Sequence, residues 1–202
     1  ARPDAPAATG AHWRYRGARG MACLVESLAE GAPWRPGHRV EAVRVVRDHW
    51  RVEVAGGGAI RARSAVLAVP VPAARAILAA GDVDVSGDWR RALEAITYAP
   101  CLSLVAALAR PPAVPDPGAI RPGGGPVQLL VDHVAKGLCE GPCVTLHATH
   151  EYSEAHLGDD ASATAEALLD AAGACLGGPA LVWRLRRWCH SRPSGWQGAW
   201  AP

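Results

Sequence analysis

Between His133 and His156 the chain gathers the side chains best suited to chemistry: His133, Cys139, Cys143, His147, His150 and His156. Thiolates and imidazoles are zinc ligands, so the crowding suggests a metal site. The spacing argues against one. Read as a strand, Cys143 to Thr149 puts Cys143 and His147 on one face but about 13 Å apart, at ~3.3 Å per residue, whereas zinc ligands stand about 2 Å from one ion. No C-x-x-C pair is present either, and no metal is expected. Cys139 and Cys143 flank Glu140-Gly141-Pro142 and are spaced to close a small redox loop. A tight turn with two ordinary thiols reads them better, because no helix N-terminus or basic neighbour is evident to lower a thiol pKa. A Ser-His-Asp hydrolase would need G-x-S-x-G at a strand-to-helix elbow, and the chain has no such segment. The runs Gly56 to Gly58 and Gly123 to Gly125 sit between expected strands and precede no helix, so they read as turns. The phosphate-cradling G-x-G-x-x-G pattern is absent.

Composition narrows the class further. The chain has 202 residues, half of them apolar, and a net charge of +2. That is a folded chain without a polyanion-binding surface. Its cations are nearly all arginine, Lys136 being the one lysine, and no arginine cluster is interleaved with aromatics as nucleic-acid binding requires. The longest apolar stretches, 65–72 and 101–109, are far short of the ~20 residues that span a bilayer, so no membrane helix is expected. The N-terminus carries no charged stretch followed by an apolar core, hence no signal peptide. Six scattered cysteines fit reduced thiols in a cytoplasm rather than a disulfide scaffold.

The elements that must position these residues follow from periodicity. Residues 1–12 read as a loose lead-in, with order beginning near Trp13. Met21, Leu24, Val25 and Leu28 recur at helical spacing, giving a helix from Met21 to Glu30 closed by Gly31. Period-two alternation over 38–45, 50–54 and 59–62, cornered by Asp48-His49 and the glycines, predicts a three-stranded antiparallel meander. Ser64 to Pro70 is apolar on both faces, as a strand buried in a parallel sheet would be. Helices follow at Ala73 to Ala80 and at Trp89 to Ile96, the latter after a Ser86 cap. Strands are expected at Tyr98 to Arg110, Val127 to Val131, Cys143 to Thr149 and Leu181 to Cys189. A helix from Thr164 to Cys175 should bury Ala167, Leu168, Ala171, Ala172 and Cys175.

An ordered series of segments resembles a known family. Trp13-Arg14-Tyr15-Arg16-Gly17-Ala18-Arg19-Gly20-Met21 leads into a helix, Arg39-Val40 opens the meander, and Ala65-Val66-Leu67-Ala68-Val69-Pro70 follows it. Tyr98-Ala99-Pro100-Cys101, His147-Ala148-Thr149, Tyr152-Ser153, His156-Leu157, Arg187-Trp188 and Arg192-Pro193 come next, in the same order as in the family. Together they are similar to the interior of flavin-containing amine oxidases, and most of all to the renalase-like bacterial branch of FAD-dependent oxidoreductases. The likeness runs from about Trp13 to about Trp200. Family members begin with a strand and the dinucleotide glycine fingerprint, and they carry a Gly-Asp flavin motif after the last strand read here. The chain has neither, so the resemblance implies an internal fragment or a gene that has lost its ends. His133 stands where family members often carry Asn ahead of a lysine such as Lys136.

What the resemblance implies is an α/β (α+β) fold: a partial FAD-binding domain with a three-stranded β-meander, and an antiparallel-sheet substrate domain with flanking helices. Residues 13–80 would be the flavin part, 84–190 the substrate domain, and 191–202 a truncated return toward the flavin domain. The implied reaction is hydride transfer from a small amine-like or dihydronicotinamide-like substrate to FAD, a cofactor the chain alone would not retain. Val40, through its backbone, and Arg39 beside it would lie against the adenine end, while Pro70 ends a strand on the ligand-binding edge. His147 would contact the substrate, Trp188 would form an aromatic wall, and His133 is a third candidate. A core histidine satisfied by its neighbours reads His147 equally well, and ordinary packing reads Trp188. The expected partner is a small molecule, with no nucleic acid and no membrane. A non-catalytic binding or scaffold module, or an inactive truncated product, is the alternative.

Overall fold

The computed structural model describes residues 17–194. The expected lead-in at 1–12, the first four residues of the Trp13–Met21 motif, and residues 195–202 of the expected return lie outside them. The elements are α1 (Ala22–Leu28), β1 (Val40–Val46), β2 (His49–Val54), β3 (Gly58–Ala62), α2 (Val71–Ala80), α3 (Gly87–Glu94), β4 (Thr97–Leu108), β5 (Ala119–Ile120), β6 (Val127–Asp132), β7 (Cys143–Ala148), α4 (His150–Ala155), α5 (Ala161–Ala172) and β8 (Ala180–Ser194). They form two compact units, one of residues 17–30 with 98–192, the other of 31–97 with 193–194. Helix α1 thus groups with the later sheet and α3 with the meander. None of the described helices is long and apolar enough to cross a membrane.

The unit of residues 31–97 is built on the meander β1-β2-β3, antiparallel throughout, with a bulge in β1 between Val40 and Ala42. Gly56 and Gly57 turn the chain between β2 and β3 at φ 88° and 90°, a backbone region that side chains rarely adopt. Ala42, Val43 and Val54 are its buried apolar residues. Helix α2 has a proline in its first turn, where a missing N–H costs nothing. It ends at Gly81, where a Cβ would lie 1.6 Å from the Val43 carbonyl oxygen; only glycine lets the helix end come this close to β1. Arg44 ties the same junction, donating to Glu53 (3.1 Å), Asp82 (2.7 Å) and the Ala80 carbonyl (2.8 Å).

Residues 64–70 depart from expectation. They form no strand: the segment joins no ladder among the described residues, and Val66 is 89% exposed. Its apolar composition states what the segment needs, a neighbour on each side, but a ladder also requires partner strands, and none of the described strands pairs with it. The apolar stripe of α1 is likewise uncovered, with Met21, Leu24, Val25 and Leu28 all exposed.

The other unit is a five-stranded sheet in the order β5-β6-β7-β4-β8. β4, β6 and β7 pair antiparallel, as do β5 and β6. One face of the sheet is its core. Leu102, Leu104, Ala106 and Leu108 of β4, Leu130 of β6 and Val144, Leu146 and Ala148 of β7 pack with Ala165, Leu168 and Ala172 of α5. Trp183 and Leu185 of β8 close the edge. The buried stripe of α5 is rotated from the expected one, with Thr164 and Ala165 inside and Ala171 exposed. The helix starts earlier than Thr164 because the Asp160 carboxylate caps it, accepting from the Ser162 and Ala163 amides at 2.9 and 3.0 Å. Two elements were not expected: the two-residue β5, and α4, which Thr149 caps by accepting from the Tyr152 amide at 3.2 Å. β8 also continues past Cys189 to Ser194.

Candidate functional site

Strand alternation sends the neighbours of the core residues to the opposite face of the sheet. On β4 these are Cys101, Ser103 and Val105, and on β7 they are Cys143, Thr145 and His147. The register sets Ser103 opposite His147, with Leu129 of β6 on the other side of it. The Ser103 hydroxyl lies 2.9 Å from His147 Nδ1. Cys101 Sγ is 3.9 Å from the same nitrogen and 3.5 Å from Ser103 Oγ. His133 follows β6 and is held at both ends, its backbone N–H donating to the Cys143 carbonyl at 2.9 Å and its Nε2 2.7 Å from Thr145 Oγ1.

Burial favours the neutral form of both imidazoles. Burial pushes the His147 pKa below its usual value, helped by the neighbouring positive charge of His133, when protonated, and of Lys136. His133 is lowered by burial first and by Lys136 second, with Asp132 opposing. A neutral imidazole has one donor and one acceptor nitrogen. Ser103 engages Nδ1, and among the described residues no hydrogen bond to His147 Nε2 is made.

Trp188 stands on the edge strand β8, next to β4, and is 56% exposed. It makes no ring contact or hydrogen bond to either histidine among the described residues. Arg39, Val40 and Pro70 all lie in the 31–97 unit. Val40 opens β1 opposite Val54, the Arg39 carbonyl accepts from Ala55 N at 2.8 Å, and the Arg39 guanidinium donates to Glu41 at 3.0 Å. Pro70 is the N-cap of α2, and its carbonyl accepts from Ala74 N. Sequence reasoning missed Ser103, Thr145 and Cys101 as members of the polar face. The signal was available on each strand, since Cys101 and Ser103, like Thr145 and His147, are two apart; what joins the strands is the register.

A profile of the family described as flavin containing amine oxidoreductase matches residues 7–141, and the chain belongs to that family. Solved structures agree at the level of fold. A protein from Exiguobacterium sp. assigned as a protoporphyrinogen oxidase superposes with a TM-score of 0.64 at 14% identity, over 88% of this chain and 40% of its own. Putrescine oxidase bound to putrescine gives 0.59 at 16% identity, over 82% and 38%. Reduced UDP-galactopyranose mutase gives 0.63 at 12%, over 89% and 40%. The chain spans about two fifths of the length of these structures. No curated protein matches it.

The family name implies a flavin; as FAD it carries a diphosphate, for which the backbone N–H groups of a helix N-terminus are the ready-made site. The described helices of eight or more residues do not offer one. The first turn of α2 contains Pro72, which has no N–H; the first turn of α3 contains Asp88, whose charge repels an anion; and the amides at the start of α5 are engaged by Asp160. The cleft of about 480 Å³ between α2 and α3 is no substitute, because its cations are already paired, Arg75 with Glu94 and Arg90 with Asp84. The described residues therefore do not by themselves fit the diphosphate of FAD.

Proposed function

We propose that the chain is an internal part of an FAD-dependent oxidoreductase of the renalase-like branch that oxidises a small amine-like or dihydronicotinamide-like substrate by hydride removal. In this reading residues 13–80 belong to the flavin domain, 84–190 form the substrate domain, and 191–202 return toward the flavin domain. Arg39, Val40 and Pro70 serve the cofactor side. His147 contacts the substrate, with His133 beside it and Trp188 as an aromatic wall. The observation that carries the reading is the half-buried His147, fixed through Nδ1 by Ser103 on the face of the sheet away from the core, where burial favours its neutral form.

The burial that favours the neutral form of His147 acts on a ligand too. An ammonium group brought to this face is disfavoured for the same reason, so an amine binds best in the form that keeps its lone pair. With Nδ1–H donated to Ser103 Oγ, Nε2 is an acceptor for an N–H of the neutral amine. FAD, in the complete protein, would supply the electron acceptor. All six cysteines are free thiols, which supports a reducing compartment, the cytoplasm.

The test is His147→Ala in the complete protein. Turnover should fall or KM rise while the bound-flavin spectrum stays unchanged, because a substrate-face residue does not hold the cofactor. Loss of flavin instead would put His147 on the wrong side of the site. One observation favours the second reading, a binding module without catalysis: no described helix of eight or more residues offers free N-terminal amides to a diphosphate.

A further inference from the structure

Cys139 in the turn between β6 and β7, and Cys143 where that turn enters β7, are cysteines that the proposed function does not use. The ends of the turn are pinned: His133 N donates to the Cys143 carbonyl at 2.9 Å and Leu138 N to the His133 carbonyl at 2.8 Å, while the Asp132 carboxylate accepts from Val134 N at 2.8 Å. Leu108 N of β4 holds the Pro142 carbonyl at 2.9 Å. Within this frame Cys139 Sγ folds back over the turn and donates to the Gly141 carbonyl at 3.2 Å. Both cysteines are half-buried free thiols. The sequence alone favours an ordinary turn at this point; the structure adds that His133, bonding the Cys143 carbonyl with its N–H and the Leu138 amide with its carbonyl, brings residues 138–139 back toward residue 143.

We propose that Cys139 and Cys143 form a reversible dithiol–disulfide pair, oxidised by low-molecular-weight disulfides through thiol–disulfide exchange. The Cys139 thiolate attacks one sulfur of the small disulfide, forming a mixed disulfide and releasing one small thiolate. The Cys143 thiolate then attacks Cys139 Sγ, closing the bond across Glu140-Gly141-Pro142 and releasing the second. Overall, two protein thiols become one disulfide and one small disulfide becomes two small thiols, with each sulfur's proton passing to a released thiolate. The order follows from the surroundings. Burial first, and then the Cys139 side chain as charge and hydrogen-bond neighbour, push the Cys143 thiol up, so Cys143 is the poorer first nucleophile and the resolving partner. The pinned turn supplies the closeness that the second step needs, since the chain ends do not have to find one another.

The bond would form at the end of the polar face. Cys143 shares that face with Thr145 and His147, and its carbonyl holds the His133 amide. Oxidation therefore fixes the turn that carries His133. The proposal stands without any assignment of function to the face.

The experiment equilibrates the chain with glutathione and glutathione disulfide at a series of ratios, then quenches and cleaves after Glu140 without reductant. The two pieces carrying Cys139 and Cys143 should stay joined at oxidising ratios and separate on reduction. In Cys143→Ser, residue 139 should instead retain one glutathione, because nothing resolves the mixed disulfide. In Cys139→Ser, residue 143 should acquire glutathione several-fold more slowly than residue 139 does in Cys143→Ser. Pieces that separate without reductant at every ratio would overturn the proposal, and this result depends on no variant. Preferential linkage of either cysteine to Cys101, Cys175 or Cys189 would overturn it equally.

Discussion

Ser153→Ala tests how α4 supports the polar face. Ser153 is fully buried. Its hydroxyl donates to the Thr149 carbonyl at 2.7 Å and accepts from Leu102 N at 3.0 Å. Removing it affects the two partners unequally. The Thr149 carbonyl keeps the Ser153 amide at 3.0 Å, whereas the amide of Leu102, a fully buried residue in β4, loses the partner seen here. An unsatisfied buried donor costs about 1–3 kcal/mol. With a urea dependence of about 1–3 kcal/mol per molar for a small protein, ~2 kcal/mol lowers the unfolding midpoint by roughly 1 M. Urea unfolding followed by tryptophan fluorescence reads the change, with the exposed Ser162→Ala expected within about 0.5 kcal/mol of wild type. Leu102 lies between Cys101 and Ser103, so its amide should also exchange hydrogen faster in the variant. A Ser153→Ala midpoint matching wild type, with Leu102 still protected, would refute the reasoning.

The pKa values of His133 and His147 lie below their unfolded values, so the unfolded chain binds more protons near neutrality. Their stabilising contribution is complete above the unfolded value of about 6.5 and is lost as pH falls through the lowered folded values. The urea midpoint should therefore drop between about pH 7.5 and 5, and NMR should show both rings titrating below 6.5; titration above it would contradict their burial. Gly81→Ala drives a Cβ into the Val43 carbonyl and should destabilise the 31–97 unit by about 1–3 kcal/mol or more, seen as lost hydrogen-exchange protection at Val43. Unchanged protection would show that the close approach is not maintained. The chain expressed as written should retain no flavin through gel filtration, and residues 64–69 should exchange faster than 101–109. A yellow monomer protected at 64–69 would disprove that expectation.

What the sequence made legible was local order. The meander, α5 and strands β4, β6 and β7 carry periods of two or 3.6 over enough residues to be read directly. Helix α4 has six residues, too few to show a period, and its Thr149 cap was its sole local signal. β5 exists through its pairing with β6. Residues 64–70 show the converse: apolar composition announces a buried strand, yet pairing is non-local, and no described strand takes up the offer. The site divides in the same way. His147 and His133 stand out by residue type, while Ser103 becomes significant only when the register of β4 on β7 carries it across 44 positions to His147. Thr145 is joined to His133 by the same kind of fact. The expectation of a flavin side came through resemblance alone, because a diphosphate is held by backbone groups that residue types do not announce.

The proposal that the polar sheet face binds substrate is tested most directly by anaerobic rapid mixing of the complete protein with excess substrate, following the flavin absorbance. His147→Ala with flavin content equal to wild type should slow reduction at least about tenfold, a barrier increase of about 1.4 kcal/mol. Ser103→Ala, which frees Nδ1 but keeps the ring, should fall between the two. Reduction of His147→Ala at the wild-type rate across all substrate concentrations would contradict that placement of the substrate.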